Sequence, residues 1–220
     1  MLSRRHALAG AAAAAATTAC TEFNTETGET SSCDIVTYDF NTGLQYGSSA
    51  FNPTFVNDGD GMPKWKFNNQ TFGTGPNHHN RAPVVHGFDL NGIPALPNTK
   101  WMKATDQFQA PGDHFLFTYC FCVDDSEINN VALSQQFRIQ DLHVKSSHQL
   151  HRVMLNQAIL FGGSSGEKEF IYMRDPSHDA FFTEGLNCLH ISLINDDPYP
   201  VPVDAALSVA GYVNGLSCCD

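Results

Sequence analysis

The most regular stretch of the chain runs from Phe115 to Val123, where Phe115, Phe117, Tyr119, Phe121 and Val123 alternate with Leu116, Thr118, Cys120 and Cys122. A period of two predicts a strand. Similar alternation returns at Val153, Leu155, Ile159 and Phe161, at Leu189, Ile191 and Leu193, and at Leu207, Val209 and Val213, with a compact apolar run from Phe170 to Met173. Residues 148–160 fit a helix or a strand. Elsewhere beyond residue 20 no uninterrupted helical stripe of normal length is present.

Upstream the pattern changes. Ile35, Val36, Tyr38 and Phe40 open the body of the chain and run into the turn signal Asn41-Thr42-Gly43. Between Asn52 and Pro111 lie seven of the eleven prolines, several Gly-Asn-Asp clusters and only short apolar runs. That third of the body reads as long loops with brief strands. The fold expected over residues 34–220 is therefore all-β: antiparallel strands in two packed sheets, a β-sandwich or jelly-roll-like single domain with long loops. A chain of 220 residues suits one domain with a core of its own.

Composition narrows the function classes. Charged residues make up 16% of the chain, against about 25% in typical soluble domains, so the surface is mostly uncharged and polar. The formal charge of −11, which becomes −13 without Arg4 and Arg5, repels phosphate backbones and disfavours nucleic-acid binding.

Residues 1–19 read as an export leader. Arg4-Arg5 precede an uncharged run of small residues from Ala7 to Ala19, too short and weakly apolar to span a bilayer. Ser3-Arg4-Arg5-His6-Ala7-Leu8 resembles a bacterial twin-arginine export signal. Cys20 after Ala19 resembles a lipoprotein processing site, with Thr17 where that pattern carries Leu; it is the lipidation candidate and the one route to a membrane. Residues 20–33 form a polar, acidic tether.

Cysteine usage points the same way. Cys33, Cys120, Cys122, Cys188, Cys218 and Cys219 are even in number and contain no C-x-x-C pair, which favours disulfides over zinc ribbons or thioredoxin chemistry. Cys120 and Cys122 lie two residues apart on one strand and cannot easily bridge each other, so each requires a partner distant in sequence.

Candidate chemistry is sparse. Gly162-Gly163-Ser164-Ser165-Gly166 matches the G-x-S-x-G nucleophile elbow, but Glu167 to Met173 reads as the returning strand of a hairpin where the elbow demands a helix. Asn57-Asp58-Gly59-Asp60-Gly61 is oxygen-rich and could suit Ca²⁺, yet its spacing is not that of an EF-hand, and an Asp-Gly turn is the commoner meaning. The histidines bunch at His78, His79 and His86 and again at His143, His148 and His151. Imidazoles so grouped fit Zn, Cu or Fe, although no H-E-x-x-H or H-x-H spacing is present.

A two-residue hairpin turn at Ser146-Ser147 would put Asp141, His143, Lys145, His148, Leu150 and Arg152 on one face. His143 and His148 would then be within reach of one ion, Asp141 would face Arg152, and His151 would turn towards Val153 and Leu155. The plainer explanation of both histidine groups is a polar surface.

Three functional readings follow. The leading one is an extracytoplasmic β-sandwich with a binding or structural role in a surface or particle assembly, its partner a protein or glycan surface. The second is an exported metalloenzyme using the histidine groups, with Asp141 as ligand or base. The third is a minor shell or spike protein of jelly-roll type.

Overall fold

The computed structural model describes residues 33–45, 54–62, 64–70, 81–108, 110–123, 137–163, 166–183, 185–198 and 203–218. The leader, most of the tether, Cys20, His78, His79, Ser164, Ser165 and Cys219 lie outside them.

Within the described residues the strands are, in chain order, β1 (Cys33–Asp39), β2 (Leu44–Gln45), β3 (Thr54–Phe55), β4 (Trp65–Gln70), β5 (Val84–Gly87), β6 (Asp89–Leu90), β7 (Ile93–Pro94), β8 (Trp101–Phe108), β9 (His114–Val123), β10 (Arg138–Ser146), β11 (Gln149–Leu155), β12 (Ala158–Gly162), β13 (Glu169–Ile171), β14 (Gly185–Ile194) and β15 (Val203–Cys218). A short 3-10 helix, Pro176–Phe181, follows β13 and is capped by the Asp175 side chain, which accepts from the Ser177 amide.

Most of these strands build two sheets. One runs β13-β10-β15-β8-β5, with β1 also on β15; the other runs β12-β11-β14-β9-β4. From β8 onward the antiparallel pairing is nested: β8 with β15, β9 with β14, β10 with β13, and β11 with β12. Eight strands paired first to last and folded over into two sheets form a jelly roll. The all-β expectation is thus met in its more specific form.

The registers also show how β15 organises its sheet. Arg138 to Ser146 run along one edge of β15, whereas the other edge is shared by β8 near Val203 to Leu207 and by β1 from Tyr212 to Cys218.

The core lies between the sheets and explains the alternation. Phe115, Phe117, Tyr119 and Phe121 of β9, Leu189, Ile191 and Leu193 of β14, and Leu150, Val153 and Leu155 of β11 meet Leu142, Val144, Val209 and Val213 of the opposing sheet in one buried cluster. Each such side chain contributes about 1.5–3 kcal/mol when fully buried. Trp101 is buried on the other side of its sheet, against Leu90 and Ala206, and its indole N–H donates to the Ile93 carbonyl at 3.0 Å. The β6-β7 hairpin thereby covers the outside of β8.

Three sequence expectations are corrected. Ser146-Ser147 is not a hairpin turn, because β10 belongs to one sheet and β11 to the other, and the chain passes between them at this corner. The serines bind the corner to its surroundings: Ser147 N donates to Ala206 O (3.0 Å), Ser147 Oγ to Asp204 O (3.0 Å), and Ser146 Oγ to Lys168 O (3.0 Å). A hairpin would have set Leu142 and Val144 on the face opposite to Leu150. The corner lets all three point into the core from opposing sheets.

The Gly162–Gly166 segment is likewise no hairpin, since it joins β12 of one sheet to β13 of the other, and β13 is a strand where a nucleophile elbow needs a helix. Within the loop-rich third, finally, β8 is a full strand of eight residues.

The crosslinks agree with the cysteine reading. Cys120 and Cys188 stand directly opposite each other in β9 and β14 and form a disulfide across 68 residues of sequence. Cys122 is disulfide-bonded as well. Such bonds persist in oxidising compartments. Among the described residues no helix is long and apolar enough to cross a membrane.

Candidate functional site: a histidine-lined groove on the outer sheet face

With odd-numbered residues of β9 and β14 turned into the core, the even-numbered ones face outward. Register then aligns them across strands: Thr118 lies opposite His190, Leu116 opposite Ser192 and His114 opposite Ile194. On the far side of β14, Arg152 faces Ser192 and Met154 faces His190. His114, Leu116, His151, Arg152, Met154, His190 and Ser192 together line a groove of about 280 Å³.

A β-bulge completes it. The β11–β14 register shifts between Leu150 and Arg152, so Leu150 and Val153 stay in the core while His151 and Arg152 both reach the outer side. The His151 carbonyl accepts from Gly163 N at 2.9 Å, which ties the bulge to the end of β12. His151, expected to point towards the core beside Val153 and Leu155, instead meets His114 edge-on with ring centroids 5.2 Å apart.

The electrostatics are consistent across the groove. Burial holds the His114 imidazole below its ordinary pKa, reinforced by His151 and Arg152 and opposed by Asp113. His151 is lowered by burial and by the adjacent Arg152 charge, and His190 by burial. The His190 Nδ1 lies 3.1 Å from Thr118 Oγ1. A Thr118 hydroxyl donating to Nδ1 puts the ring proton on Nε2.

The histidines singled out from sequence are distributed differently. His143 lies on β10, where its Nε2 is 2.6 Å from Glu169 Oε1. His148 sits at the β10–β11 corner with Nδ1 3.0 Å from Asp196 Oδ1, and Lys168 contacts the other oxygen of that carboxylate at 3.4 Å. The hairpin that would make His143 and His148 diagonal neighbours does not form. Asp141 is opposite Tyr212 on β15, in the other sheet from Arg152, so their cross-strand pair does not form either.

His86 is exposed on β5, and the Asp58 carboxylate of the oxygen-rich loop binds the Lys100 ammonium at 2.9 Å. Among the described residues no three His, Cys, Asp or Glu side chains converge as ligands for one metal ion.

His114 and His190 were not grouped by sequence spacing because 76 positions separate them, although their even places in two alternating strands already turned both outward. The missing information was that β9 and β14 are neighbours. Comparison with protein-family models, with curated proteins and with solved structures finds no match for this chain.

Proposed function

We propose that this chain is an exported jelly-roll module with a non-catalytic binding or structural role in a surface or particle assembly. The observation that carries this reading is the filled interior: the sheets close on each other through aromatic and aliphatic side chains from Phe40 to Val213, leaving polar chemistry for the outer faces. A module so built acts by contact. The Cys120–Cys188 bridge suits an oxidising compartment, and low charge density suits a surface to be covered by neighbours, since interface cores are depleted of charge. Within this reading a shell or spike subunit is one narrower form that a jelly roll can take. Jelly rolls serve in viral shells as well as in lectins and cupins, and the fold alone does not choose between them.

The test is size and compartment fractionation of native material without reducing agent. The expected result is recovery with the disulfide intact in a surface or particle fraction of mass several-fold above 24.1 kDa. Recovery as a reduced, free monomer from the cytosol would overturn the reading.

A further inference from the structure

The outer groove is lined by one cation, Arg152, and by three imidazoles that acid can charge, although the protein as a whole is acidic. Arg152, His114, His151 and His190 line it, Ser192 adds a hydroxyl, and Leu116 and Met154 supply apolar surface. Lys66 of β4 stands opposite Thr118 in the register of the same sheet, and β12 on the other flank carries no charged residue. The acidic group that bears on the imidazoles is Asp113, next to His114; it is buried and accepts from the Ala110 amide at 2.8 Å. Arg152 makes no ion pair among the described residues.

We propose that this groove binds a small organic oxyanion, a carboxylate or a sulfate ester, with its charged end held by Arg152 and the His114–His151 pair and its carbon end lying along Leu116 and Met154 towards His190. The inference stands independently of the assembly role above. A guanidinium offers paired N–H donors to two oxygens of such a group, and each neutral imidazole offers one N–H more. The same Arg152 charge that opposes protonation of His114 and His151 repels a metal cation and attracts an anion. Acid adds charge to the imidazoles, so affinity rises as pH falls, and by reciprocity a bound anion raises the pH at which they protonate.

The test is NMR observation of the imidazole resonances in the full chain with disulfides intact, at low ionic strength. Benzoate and phenyl sulfate serve as anionic probes, and benzyl alcohol as the neutral control. At least one anion should shift His114, His151 and His190 saturably while sparing His143 and His178. Binding should be about tenfold tighter at pH 5.5 than at pH 7.5, and the tighter probe identifies which oxyanion the groove takes. Arg152→Gln should weaken binding about tenfold at unchanged melting temperature at pH 7.5, since the side chain is exposed. Should that variant melt early, Arg152→Lys must still lie between it and the wild type. An equal response to benzyl alcohol, uniform shifts at every histidine, undiminished binding in Arg152→Gln, or a response to Zn²⁺ without one to either anion would overturn the proposal.

Discussion

Asn156 closes on the Cys188 peptide from both sides: its backbone N–H donates to the Cys188 carbonyl at 2.8 Å and its Oδ1 accepts from the Cys188 N–H at 2.9 Å. Its Nδ2 donates to Phe181 O (2.7 Å) and Asn187 Oδ1 (2.9 Å), and its φ of 54° lies in the left-handed region that asparagine tolerates. The turn between β11 and β12 is thus fastened to β14 at the residue that carries the disulfide.

Asn156→Ala should remove the three side-chain hydrogen bonds and add backbone strain, lowering stability by roughly 2–4 kcal/mol. Asn156→Gly, which restores the backbone freedom but not the bonds, should lose less. Urea denaturation of both variants separates the two contributions, and equal losses would show that the strain contributes nothing.

Replacing Cys120 and Cys188 together by Ala should cost about 2–4 kcal/mol, because the bridge closes a loop across 68 positions in the unfolded chain. The double substitution is preferable to chemical reduction, which would also open the disulfide at Cys122. The reading is the denaturant midpoint. Peptide mapping of the wild type should recover the Cys120–Cys188 crosslink.

Acidification should weaken the fold before any carboxylate of ordinary strength titrates. His114, His151 and His190 are lowered from 6.5 in the folded state, so below about pH 6.5 the unfolded chain takes up protons that the native groove resists. Their stabilising contribution is present above that pH and is lost as pH falls through the folded-state values. Melting temperature should decline between pH 7 and 5, and His190→Gln should flatten the decline. Asp175 and Asp196, lowered from 3.8, add their own loss only in stronger acid, whereas Asp39, raised by burial, opposes it.

Gly211→Ala should destabilise by more than about 3 kcal/mol, a loss typical of overpacking combined with backbone strain. At φ 152° an added Cβ would fall inside contact distance of the Asp141 carbonyl and 2.8 Å from Leu142 Cα, where β10 bulges against β15. Its own amide and carbonyl are engaged by Asn41 Oδ1 (2.9 Å) and Phe40 N (2.8 Å). Thermal unfolding of the variant reads the effect directly.

The strands with a clean period of two, β9, the part of β14 from Leu189 to Leu193 and the middle of β15, were legible because their inner positions are large aromatic or branched aliphatic residues. β8 was not, since Trp101 and Met102 are both buried, one under the β6-β7 hairpin and the other in the main core, which breaks the alternation. Sheet membership was the larger gap. Ser146-Ser147 and Gly162–Gly166 carry turn chemistry, and turn chemistry is common to a hairpin and to a corner between sheets. The site followed from that gap: His151 reaches the groove through a bulge that no local pattern announces, and His114 meets it across strands whose adjacency is long-range.

Nested pairing also has a kinetic meaning. Of the four nested pairs only β11 and β12 are joined by a tight turn, while β8 must wait for β15 to find its partner, with every intervening strand between them in the chain. Loop closure must be met before such remote contacts repay it, so this is a slow-folding topology on the scale of milliseconds to seconds. During synthesis the apolar faces of β8 and β9 emerge long before β14 and β15 exist to cover them. The β11–β12 hairpin is the natural seed, and the clasp of Asn156 on Cys188 stands where the returning strand first meets it.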